Sequence, residues 1–442
     1  MMMNKNLTKT IKELILFSFP ITIGQVSHML IGAGDVFVAS HHGRQTVAAM
    51  GIANGISAPI FLIGLGLLLG ISPTLSKKRG ENFDTSQYFY TCILYALIIS
   101  VVFMSITISL VPIVKHLGFD PSLVPLIQDY LFLVSFSYTG AYIFIAIKEY
   151  LQSMEHVVFA NIVSTVAVFL NVFLGYIMAF GIFIFPELGI RGLAYAAIII
   201  RFLIAITIFI YSRRYSRTQF CIVKNFMKRV LKFSLPISMS ILFEVLAFTV
   251  VMILIGRIGV MYAAIHSIAL TLVSITYMVP LSISNGVGVK IAYFYGRKNL
   301  DRIKDFSKAA LIISMTFMAF SGLCLYLFPE TILRIFTPDT GIITAGVSII
   351  IVCAAFQIFD GAQVTLSGIL RGLGITLPTS IIVLIGYWLM GLPLGFYFGY
   401  VKGLNALGFW IGLAISLFII AICLFMYLKL TLKRLPAKFQ SK

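Results

Sequence analysis

Residues 14–40 read LILFSFPITIGQVSHMLIGAGDVFVAS, and residues 230–255 read VLKFSLPISMSILFEVLAFTVVMILI. Each is a long apolar run that holds one carboxylate, Asp35 in the first and Glu244 in the second. A helix needs about 20 apolar residues to cross the hydrocarbon of a bilayer, so both runs are long enough to span. Both also begin alike: Phe17-Ser18-Phe19-Pro20-Ile21 returns as Phe233-Ser234-Leu235-Pro236-Ile237. The likeness continues outward at nearly constant offset. Val47-Ala48-Ala49 returns as Tyr262-Ala263-Ala264, Arg79-Gly80 as Tyr295-Gly296, and Gly189-Ile190-Arg191-Gly192-Leu193 as Gly403-Leu404-Asn405-Ala406-Leu407. Coincidence gives one such match, not an ordered series, so the chain is a duplicated membrane protein.

Further runs of spanning length follow the same design. The first half offers Leu14–Ser40, Val47–Ser76, Tyr88–Val114, Val124–Ile147, Val157–Phe180 and Arg191–Tyr211. The second offers Val230–Ile255, Ala263–Ala292, Ala309–Phe328, Gly341–Leu370, Pro378–Tyr400 and Leu407–Leu430. The fold expected is an all-α integral membrane protein of about twelve helices in two pseudo-symmetric six-helix bundles. The basic, polar stretch Ser212–Lys232 is the natural linker, giving domains of residues 1–215 and 216–442. Six spans per half means that the repeats share one orientation, and transporters often place the substrate path between such repeats. Pro20, Pro59, Pro73, Pro236 and Pro280 fall within the runs and predict kinks.

Lys and Arg set the topology. Lys5, Lys9, Lys12, Lys77, Lys78, Arg79, Arg213, Arg214, Arg217, Lys224, Lys228 and Arg229 fall on one side. Arg297, Lys298, Arg302, Lys304, Lys433, Arg434, Lys438 and Lys442 join them. The opposite loops hold little beyond Arg44, Lys115, Arg257, Arg334 and Lys402. The positive-inside rule then puts both termini of this multi-pass inner-membrane chain in the cytoplasm and demands an even number of spans. The first run outlasts a signal-peptide core and lacks a small-residue cleavage site, so it reads as a retained helix.

Composition agrees. Of 442 residues 60% are hydrophobic and 11% charged, with mean hydropathy +1.03, against about 25% charged in an ordinary soluble domain. No polar stretch leaves room for a large soluble domain. The net charge of +18 sits in short loops, as topology signals do, rather than on one folded face, which argues against a nucleic-acid partner. Cys92, Cys221, Cys324, Cys353 and Cys423 show no CxxC spacing and most lie in apolar runs, so neither disulfides nor a thiolate metal site are expected.

Ionisable groups inside lipid are the candidates for chemistry. At ~1.5 Å per residue, Glu244 lies roughly 18 Å from the cytoplasmic edge and Asp360 roughly 15 Å from the same edge. Two carboxylates at one depth cannot both ionise cheaply in a low-dielectric pocket. A proton or a sodium ion relieves the repulsion, and releasing that ion as a cationic substrate binds is the physical content of antiport. Asp35, roughly 33 Å from the cytoplasmic edge, is in the outer half. Arg201 sits mid-span and either lines a cavity, balances an acid such as Asp35, or packs against carbonyls. His28 and His266 also lie within spans, as packing residues or as proton relays. The chain carries 38 Phe and 20 Tyr, some of which could hold flat cations through cation–π contacts.

In these residues the chain resembles the MATE (multidrug and toxic compound extrusion) family along nearly its whole length. The resemblance rests on Phe185-Pro186-Glu187-Leu188-Gly189-Ile190-Arg191-Gly192, on Pro20 with Asp35, and on Val47-Ala48-Ala49. It continues through Pro236, Glu244, Ala264-Ile265-His266 and Pro280, then Asp360-Gly361-Ala362-Gln363 and Leu370-Arg371-Gly372. Acids at both Glu244 and Asp360 make it most similar to the bacterial NorM-like branch. The resemblance implies two six-helix bundles in a V around a central cavity, and export of organic cations, such as drugs and dyes, against sodium or protons. It implies that Glu244 and Asp360 bind the coupling cation, as metal ligands if that cation is sodium, and that Asp35 is a second acidic site. No other cofactor is implied. A monomer among membrane lipids is expected.

The departures fall mainly on polar positions. His28 stands where the family usually has Gln, Phe356 where the NorM-like site usually has Tyr, and Gly175 where a polar residue is expected four positions after the matching Asn171. They thin the first-half network and leave sodium against protons open. Two other readings remain. A lipid-linked saccharide flippase would want several cavity cations, whereas Arg201 is the main one, with Lys148 nearer the cytoplasmic end. A membrane-embedded transferase would want catalytic clusters in loops at the membrane face, and the loops here are short.

Overall fold

The computed structural model describes residues 5–182, 186–216 and 221–440. Phe185 of the loop motif, and Arg217 and Lys442 of the topology set, lie outside them. Among the described residues there are helices and no strand. Among the described residues twelve helices are long and apolar enough to cross a membrane. They are α1 (Asn6–His42), α2 (Arg44–Gly80), α3 (Ser86–His116), α4 (Val124–Ser153), α5 (Val158–Phe180) and α6 (Ile190–Tyr215). After the midpoint come α7 (Lys224–Ile258), α8 (Val260–Gly296), α9 (Leu300–Leu327), α10 (Thr340–Gly372), α11 (Leu377–Val401) and α12 (Asn405–Gln440). Every run expected from sequence forms one of these. Several helices outlast the apolar run at their ends, because backbone hydrogen bonds continue the helix where side chains turn polar.

The prolines act in two ways. Pro20, Pro59, Pro236 and Pro280 lie inside continuous helices. Pro73 instead sits in the first turn of a new helical segment, Ile71–Gly80, after α2 breaks at Leu69 and Gly70. The first turn tolerates proline because its N–H has no helical partner there.

By its contacts the chain divides into two compact units. Unit 1 is Met1–Thr22 with Met239–Lys442, and unit 2 is Ile23–Ser238. The boundaries differ from the linker-based division at residue 215. The first part of α1 groups with the second half of the chain, and the first part of α7 groups with the first half. The two changeover points, Thr22–Ile23 and Ser238–Met239, each fall just past the repeated proline, at equivalent places in the duplicated sequence.

In unit 2, α4 is the central helix, packed by α2, α3 and α6. In unit 1, α10 holds that place, packed by α8, α9 and α12. Small residues bring the backbones together, as they do where lipid gives no hydrophobic drive between helices. A Cβ on Gly140 of α4 would lie 2.7 Å from the Arg201 carbonyl carbon of α6, and one on Gly368 of α10 would lie 2.4 Å from the Ser284 carbonyl oxygen of α8. The outer faces leave Phe169, Phe173, Phe320 and Leu389 exposed, the surface of a chain solvated by lipid. All five cysteines are free; Cys92 and Cys353 are buried, whereas Cys221 and Cys423 are exposed.

The loop motif after α5 is architectural. Gly181 and Gly189 have positive φ, +68° and +54°, which side chains rarely adopt. Glu187 Oε1 lies 3.3 Å from His42 Nε2 at the end of α1. The loop thereby ties α1, α5 and α6 at one end of unit 2.

Candidate functional site

Among the described residues each unit carries a cluster of ionisable and polar groups inside its spans. In unit 1 the carboxylates of Glu244 on α7 and Asp360 on α10 interact electrostatically, and Asp360 is buried. The structure therefore brings together the two acids that sequence depth had set side by side. Two tyrosines complete the cluster, Tyr277 on α8 and Tyr387 on α11, and both lie within the field of both carboxylates. The Tyr387 hydroxyl donates to Glu244 Oε1 at 3.3 Å. Its neighbour Trp388 donates from Nε1 to the Phe243 carbonyl at 3.0 Å. Two consecutive residues of α11 thus clasp two consecutive residues of α7.

Local structure explains that clasp. Gly386–Gly391 is a π-helical turn, a feature frequent at functional sites because the extra residue re-aims side chains. Gly386 lies so close to α12 that a Cβ would meet Ile420, and its carbonyl accepts from Ser416 at 2.7 Å. Asp360 is held by the packing of α10: Ser284 of α8 donates to the Val364 carbonyl at 2.7 Å, and Thr365 donates to Ser314 of α9 at 2.8 Å. Arg371, one helix segment on, donates to Asn285 at 3.2 Å and acts electrostatically on Tyr277.

Sequence reasoning missed both tyrosines. Phe356 stands where a Tyr is usual and brings no hydroxyl, and the hydroxyl on Glu244 comes from Tyr387 of α11. Phe356 is a wall residue, 5.4 Å from the Trp410 ring and 6.4 Å from Phe248. His266 is not joined to the carboxylates. It is buried against Trp410, with ring centroids 5.5 Å apart, and makes no hydrogen bond among the described residues.

In unit 2, Asn171 of α5 donates from Nδ2 to Asp35 Oδ1 of α1 at 2.6 Å. A short bond to an ionisable acceptor is among the stronger kinds, and it fixes Asp35 against α5. Tyr130 of α4 lies in the field of both Asp35 and Arg201. Arg201 donates from Nη1 to Ser137 Oγ at 2.6 Å and lies 5.3 Å from the Phe61 ring centroid. Its link to Asp35 is through the field alone; no ion pair joins them among the described residues. His28 feels Arg201 and Lys148. At Gly175, where a polar residue was expected, the space of a Cβ is bounded by Leu193 and Ala196 of α6, so the site there serves helix packing.

Among the described residues no three His, Cys, Asp or Glu side chains converge to hold a metal. The two carboxylates of unit 1 are hard oxygen donors, which suit a proton or an alkali cation rather than a soft transition metal.

Twelve spanning helices of duplicated design, with ionisable groups held inside the spans, define a polytopic membrane protein of the kind that moves ions and solutes. The MatE family model matches residues 20–177 and again residues 236–397, so both halves carry it. The chain belongs to the MatE family and is a membrane transporter rather than an enzyme. It is similar to a probable multidrug resistance protein NorM of Photorhabdus laumondii, 28% identical over 438 residues, covering 95% of this chain and 96% of the relative. A second relative of that name, from Rhizobium meliloti, is 29% identical over 417 residues, covering 90% and 88%. Among solved structures the fold is similar to the Vibrio cholerae MATE transporter VcmN in its bent form, at TM-score 0.88 and 17% identity, covering 98% and 99%. It is also similar to the eukaryotic MATE transporter AtDTX14, at TM-score 0.87 and 17% identity, covering 98% and 99%.

Proposed function

We propose that the protein is a cation-coupled antiporter that exports small organic compounds, cationic and amphipathic in character, such as drugs and dyes. The observation that carries this reading is a buried carboxylate, Asp360, in the same unit as Glu244, whose Oε1 accepts from Tyr387 at 3.3 Å. Both negative charges together are unfavourable in that environment, so one proton or sodium ion shared between them is the stable state. Loss of the ion leaves a charge that a cationic substrate can answer, which makes ion and substrate alternatives. The NorM name of the relatives supports export of several drugs. In this reading Glu244 and Asp360 hold the coupling cation, Tyr387 donates to Glu244 when the site is empty, and Asp35 with Asn171 forms a second acidic site. His28, Arg201, Phe356 and His266 line or support the path. The coupling ion takes the place of a cofactor. The protein works as a monomer in the bacterial inner membrane with both termini cytoplasmic, as the Lys and Arg distribution favours.

The test is transport in proteoliposomes. A fluorescent organic cation should move when a sodium or a proton gradient is imposed, and stop when that gradient is collapsed. Transport indifferent to both gradients would sink the coupling mechanism.

A further inference from the structure

At the end of unit 1 that carries the C-terminus, two segments gather exposed cations. The apolar run of α12 closes at Leu430, yet the helix continues another ten residues to Gln440, about 15 Å further. Leu428, Leu432, Leu435 and Phe439 of this stretch recur at helical spacing and pack into the core of unit 1. Lys429, Lys433, Arg434 and Lys438 stand outside that stripe and are exposed. No Asp or Glu occurs in α12. Phe439 seats the tail on the turn between α8 and α9. Its ring lies 5.6 Å from that of Tyr295, and its carbonyl accepts from Lys298 Nζ at 3.3 Å. Lys438 Nζ lies 5.8 Å from the Tyr295 ring centroid. The turn adds its own exposed cations, Arg297 and Lys298. Among the described residues Arg297, Lys429, Lys433 and Arg434 make no ion pair.

Depth decides what can meet them. The headgroup layer is about 5–8 Å thick on each side of the hydrocarbon. Lys433 and Arg434 lie three and four residues past the α12 run, about 5–6 Å out. Arg297 and Lys298 lie five and six residues past Ala292, where the α8 run closes, about 8–9 Å out. Counting along two separate helices puts both groups at the level of lipid phosphates, and the contacts of Phe439 join them there. Neighbouring cations are answered by acids instead. Arg302 pairs with Glu13 at 2.8 Å, and Lys304 and Lys308 share the first turns of α9 with Asp301 and Asp305. A topology signal needs only charge near the end of a span. It needs no tail laid in helical register against a second turn.

We propose that the α12 tail and the α8–α9 turn form a docking surface for the phosphodiester headgroup of an anionic membrane phospholipid. Lys433 and Arg434 reach it from the tail, and Arg297 and Lys298 from the turn. Arginine supplies a planar fork for phosphate oxygens and lysine a point charge. Basic clusters directly beyond a span hold anionic lipid by the same forces. Phe425 and Met426, one to two turns nearer the bilayer centre, are exposed and flank the acyl chains that hang from such a headgroup. A soluble phosphate offers the same oxygens but no chain for these two side chains. The surface is independent of which compound the protein exports.

The test measures lipid retained by the full-length protein. Protein purified in neutral detergent is mixed with micelles carrying cardiolipin or phosphatidylcholine, and bound lipid is counted by native mass spectrometry. Wild-type protein is expected to hold cardiolipin about tenfold or more tightly than phosphatidylcholine. Lys433→Gln combined with Arg434→Gln is expected to lower cardiolipin affinity about tenfold or more. Lys304→Gln combined with Lys308→Gln removes the same charge from α9 and should change it by less than about twofold. All four side chains are exposed, so both variants should melt like wild type in detergent alone. Equal retention of the two lipids by wild type overturns the surface. So does undiminished cardiolipin binding in the Lys433 and Arg434 variant. Equal loss in the two double variants reduces the effect to net charge and overturns it as well. Displacement of cardiolipin by millimolar inorganic phosphate assigns the cations to a soluble anion and also overturns it.

Discussion

Tyr387→Phe deletes one oxygen and changes almost nothing else. The Tyr387 ring is buried 5.9 Å from Phe248, and Trp388 still anchors α11 to the Phe243 carbonyl. The variant should therefore fold and reach the membrane in normal amount. The lost bond runs from a neutral hydroxyl to the Glu244 carboxylate at 3.3 Å. Bonds to charged groups contribute about 1.5–3 kcal/mol, and the length argues for the low end, about 1.5 kcal/mol, or roughly tenfold. The sign follows from which state holds the bond. The hydroxyl stabilises the ionised, empty carboxylate, so its removal disfavours ion release. Half-saturation should fall to roughly one-tenth of the wild-type ion concentration, while turnover at saturating gradient slows. The assay is the initial rate of dye transport in proteoliposomes as a function of the coupling-ion concentration. A half-saturating concentration that rises instead would refute the reasoning, because it would make the Tyr387 oxygen a ligand of the ion rather than a donor to the empty site.

Three other perturbations are tied to specific contacts. Asn171→Leu removes the 2.6 Å donor to Asp35 and should reduce transport about tenfold or more, with Asn171→Gln less damaging; rates measured at equal membrane abundance decide it. Glu13→Gln weakens the pairs that Glu13 makes with Lys290 and Arg302, each 2.8 Å. Glu13 is about one-third exposed, so the loss should be about 1–2 kcal/mol rather than that of a fully buried pair, read as a lower Tm in detergent; an unchanged Tm would contradict it. Gly368→Val drives a branched side chain into Ser284, whose oxygen is already 2.4 Å from the Cβ position. Overpacking of about 1–3 kcal/mol should appear as lower thermal stability, whereas wild-type stability would mean that α8 and α10 part easily.

The helices were readable because lipid forces every span to advertise itself as an apolar run. All twelve appear, and the repeat at Pro20 and Pro236 was visible directly. The changeover at Thr22 and Ser238 was not, because a helix that serves one unit at its start and the other thereafter has no mark in hydropathy. Glu244 and Asp360 were legible because a carboxylate in a span is rare and must be answered. Tyr277 and Tyr387 were not, because a tyrosine in an apolar run is ordinary and the π-helical turn that aims Tyr387 leaves no periodic signature. Arg201 was noticed as a charge, but its separation from Asp35 and its seat on Ser137 needed the packing of α4 on α6.

The account turns on ion and substrate excluding each other at the Glu244–Asp360 pair. The most direct measurement adds a transported organic cation to purified protein in weakly buffered detergent solution and follows release of protons and of bound sodium. Wild-type protein should release one of them on substrate binding, and Glu244→Gln combined with Asp360→Asn should release neither. Release that persists undiminished in the double variant, or substrate binding to wild type with no ion released, would contradict the account.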